Sequence, residues 1–275
     1  MRSARPGPGS PQNILTYTLP EPPSDTDAAF RPLLEGNVLR DWDGDPAYWR
    51  LRDRCIVGET TGASVLSDNT WMIWRGGKLR DFELKLEYRI SAAGKSGVYY
   101  RTKESSERKW LVSGYQAVID GSKWFAEILV HAGATLSSNT KRDLERSLPG
   151  WIKANYADEE IFGRPGRQIL ALPGQLSILP QSRLPQVAGY LDSGSGIGEI
   201  PNKGWNTLHI IARNNILIHV LNHRVVSVVI DDDAKARRLS GGLALQLHSG
   251  PPMKVEFRGL RLKRIGVPNR QRAVA

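Results

Sequence analysis

The sequence predicts an all-β fold, a two-sheet antiparallel sandwich or jelly roll carrying one inserted loop or short helix. Three observations support this. Apolar residues recur with a period of two in segment after segment, Gly, Pro, Asn or Asp separates most of those segments, and helical spacing is rare. A chain of 275 residues with 40% apolar content is long enough to bury one sizeable core.

Residues 1–29 are rich in Pro, Ser, Gly and Asp and read as a disordered tail without the apolar run of a signal peptide. The folded domain is expected over 30–265. Its clearest strand is "FELKLEYRI", with Phe82, Leu84, Leu86, Tyr88 and Ile90 on one face and Glu83, Lys85, Glu87 and Arg89 on the other. "SGVYYRT", "GYQAVID" and "RQILAL" continue the series. "ARNNILIHVLNHRVVSVVID" reads as consecutive hairpins, with Asn214 and Asn215 suited to positive φ in the first turn. "GLALQLH" and "VEFRGLRLKRI" close the domain. Residues 121–165 read as an excursion from the sandwich, with a short helix across "TKRDLERSL" that Pro149 and Gly150 end. The stretch from Pro180 to Gly204 reads as a long loop, and 266–275 as a disordered tail.

The formal charge of +10 comes from Lys and Arg spread along the chain without a dense basic block, which favours a solvated basic surface over a nucleic-acid partner. No stretch reaches the roughly 18 apolar residues of a membrane span, so no membrane insertion is expected. The single Cys55 excludes an internal disulfide and a cysteine-based zinc cluster.

Alternation also selects candidate site residues. In the strand ending at His248, the leucines 243, 245 and 247 point one way, and Ala244, Gln246 and His248 the other. The same parity groups Gln116, Val118 and Asp120, and Gly97, Tyr99 and Arg101. If these strands are neighbours, one face carries Glu87, Tyr99, Arg101, Gln116, Asp120, Gln246 and His248, a set of hydrogen-bond forks and an aromatic ring suited to sugar hydroxyls. The remaining histidines read as structural or surface residues, and "IDDDAKARR" as a solvated turn that lacks the ligand spacing of a calcium loop.

Several blocks carry a family resemblance. "FRPLLEGNVLRDWDGDPAYWRLRDRCIVGET", with Phe30, Leu34, Gly36, Leu39, Trp42, Trp49 and Gly58, is followed by "NTWMIWRGGKLRDFELKLEYRI", "GKSGVYYRT", "VSGYQAVID", "GWNTLHIIA" and the segment from Val229 to Ile265. In this order the blocks resemble the 3-keto-disaccharide hydrolase domain, a family of glycosyl hydrolases with a concanavalin-like jelly roll. The chain departs from the family pattern at Lys95, where an asparagine is usual, at Val118, where a polar residue is usual, and at the Asn222–His223 turn.

The resemblance implies a glucoside already oxidised to a ketone at C3. The ketone acidifies the C2 proton, so a base can form an enolate that expels the C1 substituent by elimination, with hydration afterwards. An ordinary glycosidase needs two carboxylates flanking an oxocarbenium ion instead. The expected roles are proton transfer by His248 or Asp120, oxyanion stabilisation by Arg101, and binding by Glu87, Tyr99, Gln116 and Gln246. No cofactor is firmly indicated, and a divalent metal on His248 and Asp120 is left open. The expected partner is a carbohydrate, the alternative is a lectin-like module without chemistry, and the resemblance suggests a periplasmic or extracellular location.

Overall fold

The computed structural model of the chain describes residues 29–36, 38–92, 94–121, 152–155, 167–171, 174–181, 184–191 and 204–266. Over these residues the protein is a sandwich of two β-sheets with no α-helix. The first sheet runs in the order β12 (Gln186–Tyr190), β11 (Gln175–Leu179), β15 (Arg224–Asp231), β14 (Ile216–Leu221), β13 (Asn206–Arg213), β6 (Phe82–Ile90), β17 (Lys254–Arg264), β4 (Cys55–Glu59) and β3 (Trp49–Arg52), with β1 (Arg31–Pro32) also on β17. The second runs β10 (Arg167–Ala171), β9 (Ile152–Asn155), β8 (Val112–Asp120), β7 (Lys95–Glu104), β16 (Gly241–Leu247), β5 (Thr70–Leu79) and β2 (Trp42–Asp43). All pairs are antiparallel except β11 with β15.

The inner faces are those that alternation selects. Phe82, Leu84, Leu86 and Tyr88 of the first sheet meet Val98, Tyr100, Tyr115, Ala117, Ile119, Leu243, Leu245 and Leu247 of the second, each at most 3% exposed. Burying such a side chain contributes about 1.5–3 kcal/mol, so this layer fixes which way each strand faces.

Two expectations are corrected. Gln186–Tyr190, inside the stretch read as a loop, forms edge strand β12 and pairs with β11. Ile152–Asn155, inside the expected excursion, forms β9 and pairs with β8, so this part of the chain belongs to the sandwich. The short helix expected across 140–148 lies outside the described residues, as do most of both expected tails. No helix among the described residues is long and apolar enough to cross a membrane.

Polar groups also bind the sheets together across the core. Tyr100 Oη lies 3.0 Å from His219 Nε2, and Tyr115 Oη donates to Asp231 at 2.7 Å while accepting from the Arg238 amide at 3.1 Å. Burial pushes the ionisation of both phenols up, so they remain neutral donors. A β-bulge interrupts the β7–β8 ladder, where Tyr100 faces Tyr115 but Lys103 faces Ser113. Arg101 occupies the bulge with φ of 50°. Its guanidinium, 1% exposed, donates to the carbonyls of Arg80, Asn214 and Arg238 and lies 3.4 Å from the Asp81 carboxylate. The turn joining β13 and β14 is thereby fastened to the second sheet. Gly241 backs this bulge: a Cβ there would come within 2.3 Å of the Arg101 carbonyl carbon.

On the outer side of the first sheet, Glu83 is 2% exposed and meets His209 at 3.2 Å, Arg213 at 3.2 Å and Lys263 at 3.4 Å. The His209 hydrogen bond and the Lys263 charge hold its carboxyl at about 2, against 4.5 for an ordinary glutamate. A depressed carboxyl stabilises the fold above pH 4.5 and loses that contribution as pH falls toward 2. Glu83→Gln is expected to lower unfolding free energy at pH 7 by about 2 kcal/mol. The penalty should shrink in urea titrations stepped down through that window. Arg101→Ala, which leaves buried carbonyls unpaired, should cost about 3 kcal/mol or more in the same assay, and Arg101→Lys should recover little because an ammonium cannot reproduce the planar fork.

Candidate functional site

The outer face of the second sheet gathers most of the candidate side chains. Across adjacent strands, Lys95 faces Asp120, Gly97 faces Val118 and Gln246, and Tyr99 faces Gln116 and Ala244. Gln246 in turn faces Trp71 of β5, and His248 follows Leu247 at the end of β16. With strands about 4.8 Å apart, Asp120, Lys95 and His248 form a row about 10 Å wide at one end of the face.

The face has two halves. One half, crossing β8, β7, β16 and β5, is apolar: Trp71, Ile73, Tyr99, Val112 and Ala244 cluster, with Trp110 and Leu111 packed on them. Trp71 and Tyr99 meet edge to face with centroids 5.6 Å apart. Trp110 is anchored by its indole N–H on Asp43 at 2.8 Å, a bond that, with Arg75, holds that carboxyl below its usual range. The Trp71 indole N–H, on the side of the sheet that carries the candidates, is buried without a hydrogen-bond partner among the described residues.

The other half is polar. Gln116 donates to Gln246 Oε1 at 2.9 Å across Gly97 of the intervening strand. That bond needs glycine: a Cβ at position 97 would lie 2.3 Å from Gln116 Nε2. The glutamines are 5% and 2% exposed and Asp120 is 7% exposed, whereas Lys95 is exposed and His248 half-buried. The accessible end of the row is therefore an amine and an imidazole. His248 Nδ1 bonds the Ser249 carbonyl, and since a carbonyl only accepts, Nδ1 carries the proton of that bond. Asn69 holds the next residue in place, accepting from the Ser249 amide at 2.8 Å.

Two candidates lie elsewhere. Arg101 was placed on this face by unbroken alternation, but the bulge turns it inward, where its donors are taken by backbone carbonyls. Glu87 lies on β6 of the opposite sheet and accepts from Arg258 at 2.7 Å. Tyr99 is on the expected face, but at 1% exposure its ring packs on Trp71. Sequence reasoning passed over Trp71, Trp110 and Asn69, and treated Lys95 only as a departure. For Trp71 the signal was available, because "TWMIW" alternates as the other strands do, with Met72 and Trp74 in the core cluster. Among the described residues, no group of three or more His, Cys, Asp and Glu side chains is arranged to hold a metal ion.

Residues 29–263 match the model of the 3-keto-alpha-glucoside-1,2-lyase-like domain. Among solved structures, a "putative glycosyl hydrolase" from Parabacteroides distasonis shares 15% identity with a TM-score of 0.52, covering 87% of this chain and 95% of its own. A Bacillus subtilis protein with a galectin-like fold shares 11% identity at a TM-score of 0.47 over 86% of this chain and 94% of that one. The carbohydrate-binding module CBM66 of Bacillus subtilis shares 11% at 0.45 over 81% and 95%. These likenesses concern the fold. No curated protein matches the chain.

Gly97→Ala is expected to break the Gln116–Gln246 bond and to destabilise the protein by about 1–3 kcal/mol through displaced, unpaired amides. Thermal unfolding reads the loss, and Gly97→Ala combined with Gln116→Ala should recover part of it by removing the clashing side chain.

Proposed function

The chain belongs to the 3-keto-alpha-glucoside-1,2-lyase-like domain family, and on that premise we propose that the polar half of the second sheet's outer face binds a 3-keto-glucoside and cleaves its C1–O bond by elimination. The observation that carries this reading is the row Asp120–Lys95–His248 beside the Gln116–Gln246 pair. A C3 ketone lowers the barrier to removing the C2 proton. One general base and one positive charge at the developing enolate oxygen then suffice, and no carboxylate pair is required.

The proposed base is His248 through Nε2, with Asp120 as the alternative proton acceptor. The C2–H electron pair becomes the C2–C3 π bond of the enolate. As the enolate collapses, the C3 carbonyl re-forms, the C2–C3 π pair becomes the C1–C2 π bond, the C1–O bond breaks with its electrons leaving on the aglycone oxygen, and that oxygen takes up a proton from the protonated base or from water. Lys95, the accessible cation of the row, would stabilise the enolate oxygen in the role that the sequence had suggested for Arg101. Such electrostatic stabilisation is typically worth about 3–4 kcal/mol in a site that excludes water. Gln116 and Gln246 would orient ring hydroxyls.

A reading as a carbohydrate-binding module without turnover is favoured by one observation, the bond between the two glutamines, which uses amide groups that a catalytic site would aim at substrate. Incubating the protein with a 3-keto-glucoside in D2O separates the two. Elimination predicts an unsaturated keto sugar by mass spectrometry, and kcat should drop by roughly 10²-fold or more for His248→Ala and for Lys95→Ala. Binding of the keto sugar without release of the aglycone would leave only the module. Unchanged turnover in both variants would remove the site.

A further inference from the structure

The opposite side of the sandwich carries a concavity of its own. A cavity of about 1140 Å³ opens on the outer side of the first sheet, between the β3–β4 turn, the segment around β1 and the middle of β17. Arg54, Arg258 and Arg261 line it, together with Asp53, Glu87 and the apolar Pro32 and Leu34.

The convergence of those cations has a local cause. In the β17–β6 ladder Arg258 faces Glu87 but Arg261 faces Lys85, so two residues of β17 oppose one of β6. Gly259 takes up the extra residue with φ of 59°. Alternation switches there: Val255 and Phe257 are buried before the bulge, Leu260 and Leu262 after it. Arg258 and Arg261, an odd number of residues apart, are thereby brought to one face, and the β3–β4 turn, with Asp53 and Arg54 both at positive φ, supplies Arg54 beside them.

Arg258 is held ready for a ligand. Its Nε donates to Glu87 at 2.7 Å and its guanidinium stacks on Trp205 at 3.9 Å, so its direction is fixed by an ion pair and a ring. Among the described residues, neither Nη atom of Arg258 has a hydrogen bond, and the exposed Arg54 has neither a hydrogen bond nor an ion pair. Paired guanidinium donors match carboxylate or phosphate oxygens, a carboxylate nearby accepts from hydroxyls, and an apolar wall suits the carbon face of a sugar ring.

We infer that this cavity is a binding site for an anionic saccharide, a sugar bearing a carboxylate or a phosphate, separate from the polar face of the other sheet. A sugar phosphate and a uronic acid share the recognised chemistry, and the test separates them.

Isothermal titration of the full chain with glucose 6-phosphate, glucuronate, glucose and inorganic phosphate provides the test. Glucose 6-phosphate or glucuronate should bind at least 10-fold more tightly than glucose and than inorganic phosphate, and binding should weaken as salt rises. Arg54→Ala and Arg261→Ala, both exposed positions, should each reduce that affinity several-fold, whereas His248→Ala should leave it intact. Whichever of the two anionic sugars binds identifies the ligand's charged group. Equal affinity for glucose, equal affinity for inorganic phosphate, or no loss in either arginine variant would overturn the inference. None of those results bears on turnover of a 3-keto-glucoside at the other sheet.

Discussion

The whole molecule depends on one constraint, the two-residue period of a pleated strand whose inner face must be apolar. Once Leu243, Leu245 and Leu247 enter the layer between the sheets, Gln246 must leave it, and the same geometry sends Gln116 and Asp120 outward against Tyr115, Ala117 and Ile119. The polar row on the second sheet is therefore a by-product of core packing that chemistry can use. Slipping any of these strands by one residue would put amides in the core at a cost of several kcal/mol for each unpaired group, so the arrangement is strongly fixed.

Where the period fails, the molecule acquires its less regular features. Two bulges each add a residue, one at Arg101 and one at Gly259, and in each an arginine ends where simple alternation would not put it. At the first the guanidinium turns in and becomes a fastening for three backbone carbonyls. At the second two guanidiniums come out together over an open cavity. The same side chain is thus a buried fastening or a cavity lining according to local backbone count.

This also explains how much could be read beforehand. The fold was legible because β6, β13 and β14 each show alternation over six or more residues, and the Asn214 turn takes the positive φ its sequence suits. Three strands of the candidate face were legible for the same reason. Arg101 was not, because a non-glycine bulge residue leaves no mark in composition or spacing. Glu87 was assigned to the wrong sheet because parity fixes a face within a strand but says nothing about which strands are neighbours. Strand β12, with Gln186, Val187 and Tyr190 exposed, lacks the apolar face that would have announced it.

The close contact behind the Arg101 bulge also ties two distant positions in the chain. Gly241 has no room for a side chain while the extra residue stands in β7, since a methyl group would press into the Arg101 backbone. A variant that deleted that residue and restored an even ladder would lift the restriction at position 241, while a change at 241 alone would strain both sheets through the clamp. Drift at these two sites is therefore expected to be epistatic, so that their tolerance can be judged from double substitutions and not from either one in isolation.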